Sequence, residues 1–191
     1  RQWRTLDEAA TNRYFALIDS VADTIDKCHD AKQKAALLLI RAVAYSDTQN
    51  NEAAIDDLTA VVQLDSTQTL AYWQRAVCQA RLNAFNASQG TDISMKTANV
   101  LSDLSEAIEN NPSAILYYNR GNVYVQRKDY LHAIEDYSKA IEMDSHLAEA
   151  YYNRGIARLA LKQQAQAVAD LSKAGELGLY AAYSIIKQNR K

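Results

Sequence analysis

Residues Tyr117–Ser145 read YYNRGNVYVQRKDYLHAIEDYSKAIEMDS, and the chain says the opening again: YYNRG begins at Tyr117 and returns at Tyr151, a period of 34 residues. Self-similarity at a period of about 20–50 residues marks an array of stacked units, each too small to bury its own apolar face. In this stretch aromatic Tyr117 is followed by small Gly121 and then by Tyr124. Further on, Ala133, Tyr137 and Ala140 are spaced by four and three, as on one face of a helix. A small residue on each helix lets two backbones approach while large residues fill the groove beside them. The stretch therefore predicts a helical hairpin that stacks on copies of itself.

These residues resemble the tetratricopeptide repeat, whose pattern runs Trp, Leu-Gly, Tyr, Ala, Phe and a final Pro. Here Tyr117 stands for Trp, Arg120 for the Leu before Gly121, Tyr137 for Phe and Ser145 for Pro. With that template, the small residue of the first helix recurs as Ala42, Ala76, Gly121 and Gly155. The small residue of the second helix recurs as Ala54, Val100, Ala133 and Ala167, and its bulky position as Leu58, Leu104, Tyr137 and Leu171. The resemblance implies an all-α right-handed superhelix, or solenoid, of four helical hairpins with terminal capping helices. The repeats fall at 35–68, 69–113, 114–147 and 148–181, behind an N-terminal helix in 1–34 and ahead of a capping helix in 179–191. All belong to a single expected domain, 1–191. The ending DLSKAGELGLYAAYSIIK also looks like the C-terminal end of bacterial tetratricopeptide arrays.

Composition agrees with helix throughout: one Pro and five Gly in 191 residues, with abundant helix formers. A net charge of −2 argues against a nucleic-acid binder, which carries a basic surplus. No apolar run of ~18 residues offers a membrane span. The chain begins at Arg1 without a charged-then-apolar leader, so a processed form or excised piece of a soluble protein is expected, its address lost with what preceded it. Cytoplasmic and exported locations both stay open. Cys28 and Cys78 have no metal-ligand spacing, and Cys78 is expected as a buried thiol.

Along the chain, Thr5-Leu6-Asp7-Glu8 fits a capping box that opens a helix to Lys27, with Leu17, Ile18, Val21, Ala22 and Ile25 as its apolar stripe. Asp30 is the expected cap of the next helix. The distance from Ala76 to Val100 is 24, against 12 in the other three hairpins, so the second repeat carries a 12-residue loop insertion within 83–96. Residues 84–92 are expected as a surface excursion. Asn111-Pro112 is expected to cap and begin the next helix. Gly175 and Gly178 mark a stop, and a final helix over 179–188 is expected to hide the last repeat through Tyr180, Tyr183 and Ile186.

Nothing in the sequence points to catalysis, a cofactor or a metal: no phosphate-cradling Gly loop, nucleophile elbow or ligand cluster is present. His29, His132 and His146 fall at turns and a helix start, where solvated histidine is ordinary. One ionic pattern is regular. Arg41, Arg75, Arg120 and Arg154 precede the first-helix small residue, and Asp57, Asp103, Asp136 and Asp170 precede the second-helix bulky one. The separations are 16, 28, 16 and 16, where 28 is 16 plus the insertion. Each Arg is expected to grip the Asp of its own repeat, fixing how the two helices pair.

The resemblance implies that first helices line a concave groove. That points to Trp73 and Gln74, Tyr118 and Asn119, and Tyr152 and Asn153 as peptide-binding residues, with Asn122 and Gln126 one turn on and Arg81 at the flank. Asn and Gln can both donate and accept, which suits the backbone of an extended peptide. The groove positions Leu39, Gln74, Ile115, Asn119, Glu149 and Asn153 include no basic residue, so a clamp for a C-terminal carboxylate is not expected. The expected function is a protein–protein interaction scaffold or adaptor for a peptide or partner segment. A spacer, a weakly self-associating oligomerisation module and a regulatory domain of a larger enzyme are the alternatives.

Overall fold

Ala, Leu, Glu and Gln between widely spaced turn residues give ten α-helices among the described residues, with no strand. A computed structural model describes residues 7–89 and 94–189, the side chains at 87 and 94–98 excepted. The chain divides into two compact units, Arg1–Asn110 and Asn111–Lys191. Unit 1 holds α1 (Glu8–Lys27), α2 (Ala31–Asp47), α3 (Asn51–Leu64), α4 (Thr69–Ser88) and α5 (Ser94–Asn110). Unit 2 holds α6 (Ala114–Gln126), α7 (Tyr130–Met143), α8 (Ala148–Ala160), α9 (Gln164–Glu176) and α10 (Ala181–Gln188). The pairs α2/α3, α4/α5, α6/α7 and α8/α9 are helical hairpins; α3 packs on α4 and α7 on α8, while α1 lies on α2 and α10 on α9.

The small residues sit where the helices touch. Ala42 and Ala54 are buried with Leu58 and Val61 between α2 and α3, and Ala71 and Cys78 of α4 join the same cluster. In unit 2 the approach is closer. A Cβ added to Gly121 would lie 2.8 Å from the Tyr137 ring, and one added to Gly155 would lie 2.8 Å from Leu171 Cγ. Glycine at these two positions is thus a packing requirement of α6 against α7 and of α8 against α9.

Three hairpins turn in the same way. The N–H of Asn50, Asp129 and Gln163 reaches back to the carbonyls of Tyr45, Tyr124 and Arg158, closing a left-handed helix end. The left-handed residue is Gln49, Lys128 or Lys162, with φ of 65°, 60° and 60°. Among the described residues glycine occupies that place only after α9, at Gly178 with φ 99°.

Several boundaries differ from expectation. The cap of α1 is Asp7, whose carboxylate accepts the Ala10 N–H at 2.6 Å; Thr5 lies outside the described residues. Asp30 caps α2 as expected, through the Gln33 N–H at 2.7 Å. Asn111-Pro112 does not open α6. The residue before a proline is driven out of helix, and Ser113 is still extended (φ −149°, ψ 154°), so α6 begins at Ala114. The expected excursion at 84–92 is helical through Ser88, because NAFNAS contains no Gly or Pro to stop α4; residues 90–93 lie outside the description. At the end of the chain, α10 starts at Ala181 and seals with fully buried Ala182, flanked by Leu179, Ile185 and Ile186. Tyr180 is 73% exposed rather than packed, and Tyr183 lies over Gly175 while remaining 47% exposed.

Candidate functional site

The Arg and Asp columns decide which groups are left for a ligand. Arg41 donates to Asp57 through Nε at 2.8 Å and Nη2 at 2.7 Å, and Arg75 to Asp103 at 2.8 and 2.6 Å. Arg120 holds Asp136 at 2.8 Å through both nitrogens, and Arg154 holds Asp170 at 2.9 and 2.7 Å. All four are two-pronged pairs within one hairpin, as the constant spacing predicts. Each guanidinium also lies 5.6–5.9 Å from a tyrosine ring of its own helix: Tyr45, Tyr72, Tyr117 or Tyr151. The carboxylate neighbour raises the pKa of Arg41, Arg75 and Arg120, against the opposing pull of burial. These arginines are structural ties and do not present an anion site.

Two contacts lay beyond the sequence reading. Arg75 Nη1 reaches Thr59 Oγ1 at 3.2 Å and Arg154 Nη1 reaches Ser138 Oγ at 2.9 Å, so each also ties its hairpin to the second helix of the preceding one. Arg158 adds a second guanidinium to Asp170 at 2.7 Å.

With the arginines committed, the polar groups of the first helices in unit 2 form their own network. Tyr137 O–H donates to Asn122 Oδ1 at 2.7 Å, and Asn153 Nδ2 donates to the same oxygen at 2.8 Å and to Tyr118 Oη at 3.3 Å. The Tyr118 and Tyr137 rings meet at 6.0 Å and 45°. Burial pushes the Tyr137 hydroxyl far above its ordinary pKa, so it stays a donor. The network fixes both amides: Asn122 Nδ2 and Asn153 Oδ1 carry no other hydrogen bond among the described residues. One offers donors and the other an acceptor, on adjacent helices.

The structure therefore brings Tyr118, Asn122 and Asn153 together. Asn119 and Tyr152 are half-buried on α6 and α8, outside the network, and Gln126 is exposed at the end of α6. Trp73 and Gln74 are half-buried on α4 in unit 1, where the Trp73 indole N–H is shielded and meets no acceptor among the described residues. Arg81 bonds the Ser46 hydroxyl at 2.9 Å, which turns it toward the end of α2. No helix among the described residues is long and apolar enough to cross a membrane.

Comparison with known proteins agrees with this fold. A family model described as a TPR repeat matches residues 121–162. Tetratricopeptide repeat protein 13 of Homo sapiens is 30% identical over 111 residues, 56% of this chain; the chain spans 12% of that relative's length. Among solved structures, MamA is similar with a TM-score of 0.74 at 24% identity, over 87% of this chain and 89% of that one. YrrB, a TPR protein with an unusual peptide-binding site, is similar with a TM-score of 0.68 at 16% identity, over 91% and 87%. The first TPR of Spaghetti (RPAP3), bound to the HSP90 peptide SRMEEVD, matches with a TM-score of 0.50 at 23% identity, over 61% and 90%. At these identities the solved structures speak for the fold.

Proposed function

Because this chain is a tetratricopeptide-repeat protein, we propose that it is an interaction scaffold whose first helices hold an extended segment of a partner protein. The observation that carries the reading is the pre-set amide pair of unit 2. Asn122 Nδ2 meets a peptide carbonyl and Asn153 Oδ1 meets a peptide N–H, without either side chain having to be ordered on binding. Asn119 extends the row along α6, and Tyr118 and Tyr152 add rigid aromatic contact. Such contacts address the peptide backbone and accept many sequences.

No Lys or Arg stands at the first-helix positions Ile115, Asn119, Glu149 and Asn153, so the bound segment is internal rather than a free C-terminus. In unit 1, Trp73 and Gln74 offer an equivalent pair, with a shielded indole N–H that a ligand carbonyl satisfies. A displayed random-peptide library selected on the immobilised protein, followed by photo-crosslinking of the selected peptides, tests the assignment. Crosslinks to α6 and α8 support it. Crosslinks confined to α7 and α9 refute it.

A further inference from the structure

The insertion in the second hairpin builds a feature that the hairpins of unit 2 lack. α4 is 20 residues long where α6 and α8 are 13, and its last turns stand beside the turn joining α2 to α3. Between them opens a cleft of about 770 Å³, within the size range of small-ligand sites. Its α4 wall carries the apolar Leu82, Ala84 and Phe85, the last at 63% exposure, beside the Arg81 guanidinium.

The opposite wall is polar, and its charged groups are acceptors. Asp47 and Glu52 are exposed carboxylates at the turn, and the Asp47 carboxylate raises the pKa of the Tyr14 hydroxyl. Asn51 Nδ2 donates to the Gln49 carbonyl at 3.2 Å, which fixes the amide and leaves Asn51 Oδ1 buried with no donor among the described residues. Arg81 also lines the cleft, its Nη1 drawn to Ser46 Oγ at 2.9 Å and to the Ser46 carbonyl at 3.4 Å. The N-terminus of α3 opens here too, but its first donors are answered. Asn51 N–H bonds Gln49 O at 2.9 Å, and Ala53 N–H bonds Asn50 Oδ1 at 3.3 Å. An anion would gain little; a donor-rich cation with an apolar stem fits both walls.

We propose that this cleft is a second recognition site, which takes a basic side chain, foremost arginine, from a partner peptide. The stem lies along Leu82, the guanidinium stacks on the Phe85 ring, and its N–H groups donate to Asn51 Oδ1 and to the Glu52 and Asp47 carboxylates. The site lies wholly in unit 1 and does not rest on the first-helix reading of unit 2.

The test is an amide NMR titration of the whole chain with acetyl-Leu-Arg-Leu-amide, against the same peptide carrying norleucine in place of arginine. Saturable shifts at Asn51, Glu52 and Phe85 with the arginine peptide are expected, with far smaller ones from its neutral counterpart. Asp47→Asn combined with Glu52→Gln weakens the arginine peptide about tenfold or more, and so does Phe85→Ala. These side chains are exposed, so the variants keep the fold. Equal response to both peptides, unchanged affinity in the acid variant, or shifts confined to α6 and α8 would overturn the proposal.

Discussion

Arg41 grips Asp57 with two parallel hydrogen bonds, Nε to Oδ2 at 2.8 Å and Nη2 to Oδ1 at 2.7 Å, across the gap between α2 and α3. The side chains are 20% and 9% exposed, so the pair is neither a surface bridge nor a dry one. An exposed pair is worth ~0–1 kcal/mol, whereas removing one partner of a buried pair strands a charge and costs about 3–5 kcal/mol. Arg41→Leu is expected near the lower figure, about 2–3 kcal/mol after discounting for solvent at the guanidinium. A double-mutant cycle with Asp57→Asn reads the coupling directly, and additive effects would show that the pair is not a tie.

A second expectation follows from the close approach of α6 and α7. Gly121→Ala pushes a methyl group against the Tyr137 ring, which is 1% exposed and pinned through its hydroxyl to Asn122. With nowhere for the ring to go, overpacking of about 1–3 kcal/mol or more is expected. Gly175→Ala also meets a ring, but Tyr183 is half in solvent and can swing away. Thermal unfolding should rank Gly121→Ala well below Gly175→Ala; the reverse order would mean that the Tyr137 pocket is loose.

Lys128 adopts φ 60° at the end of α6. A side chain in the left-handed region costs ~1–2 kcal/mol, which glycine avoids at some cost in unfolded-state entropy. Lys128→Gly is therefore expected to raise stability by up to about 1 kcal/mol, measured as a shift in denaturant midpoint. A loss of stability would show that Lys128 is held by contacts along its stem.

The two thiols should separate chemically. Burial pushes the Cys78 thiol above its ordinary pKa, with Ser46 and Arg81 only partly opposing, while Cys28 is half-exposed near the Asp30 carbonyl. Each unit of upward shift removes about a factor of ten in thiolate. Native protein treated with an aromatic disulfide should release one equivalent fast and the second only on unfolding. Two fast equivalents would place Cys78 within reach of solvent.

The parts of the molecule that were legible in its sequence are those governed by constant spacing. Arg and Asp 16 residues apart, with 28 where 12 residues are inserted, mark every hairpin tie. The insertion illustrates the limit: counting gave its length, but whether those residues leave the helix depends on a stop signal, and none precedes Gly90. The Asn122–Asn153 bond went unread although a signal for it existed. With a 34-residue period, a first-helix residue faces partners 31 and 35 positions on, and Asn122 to Asn153 and Tyr118 to Asn153 have those separations. Which of the two amide atoms each presents depends on the Tyr137 hydroxyl, a second-helix group no spacing rule connects to them.

The most direct test of the scaffold reading is the affinity of a selected peptide for Asn119→Ala, measured by titration calorimetry beside the melting temperature. The Asn119 side chain makes no hydrogen bond to the described residues, so its truncation breaks none. Asn153→Ala, by contrast, breaks bonds to Asn122 and Tyr118 and should lower both stability and affinity. One lost hydrogen bond is worth about 0.5–1.5 kcal/mol, so Asn119→Ala should weaken the peptide by roughly 2- to 12-fold with the melting temperature unchanged. Full affinity retained in Asn119→Ala, Tyr152→Ala and Asn153→Ala alike would contradict a binding role for the first helices of unit 2.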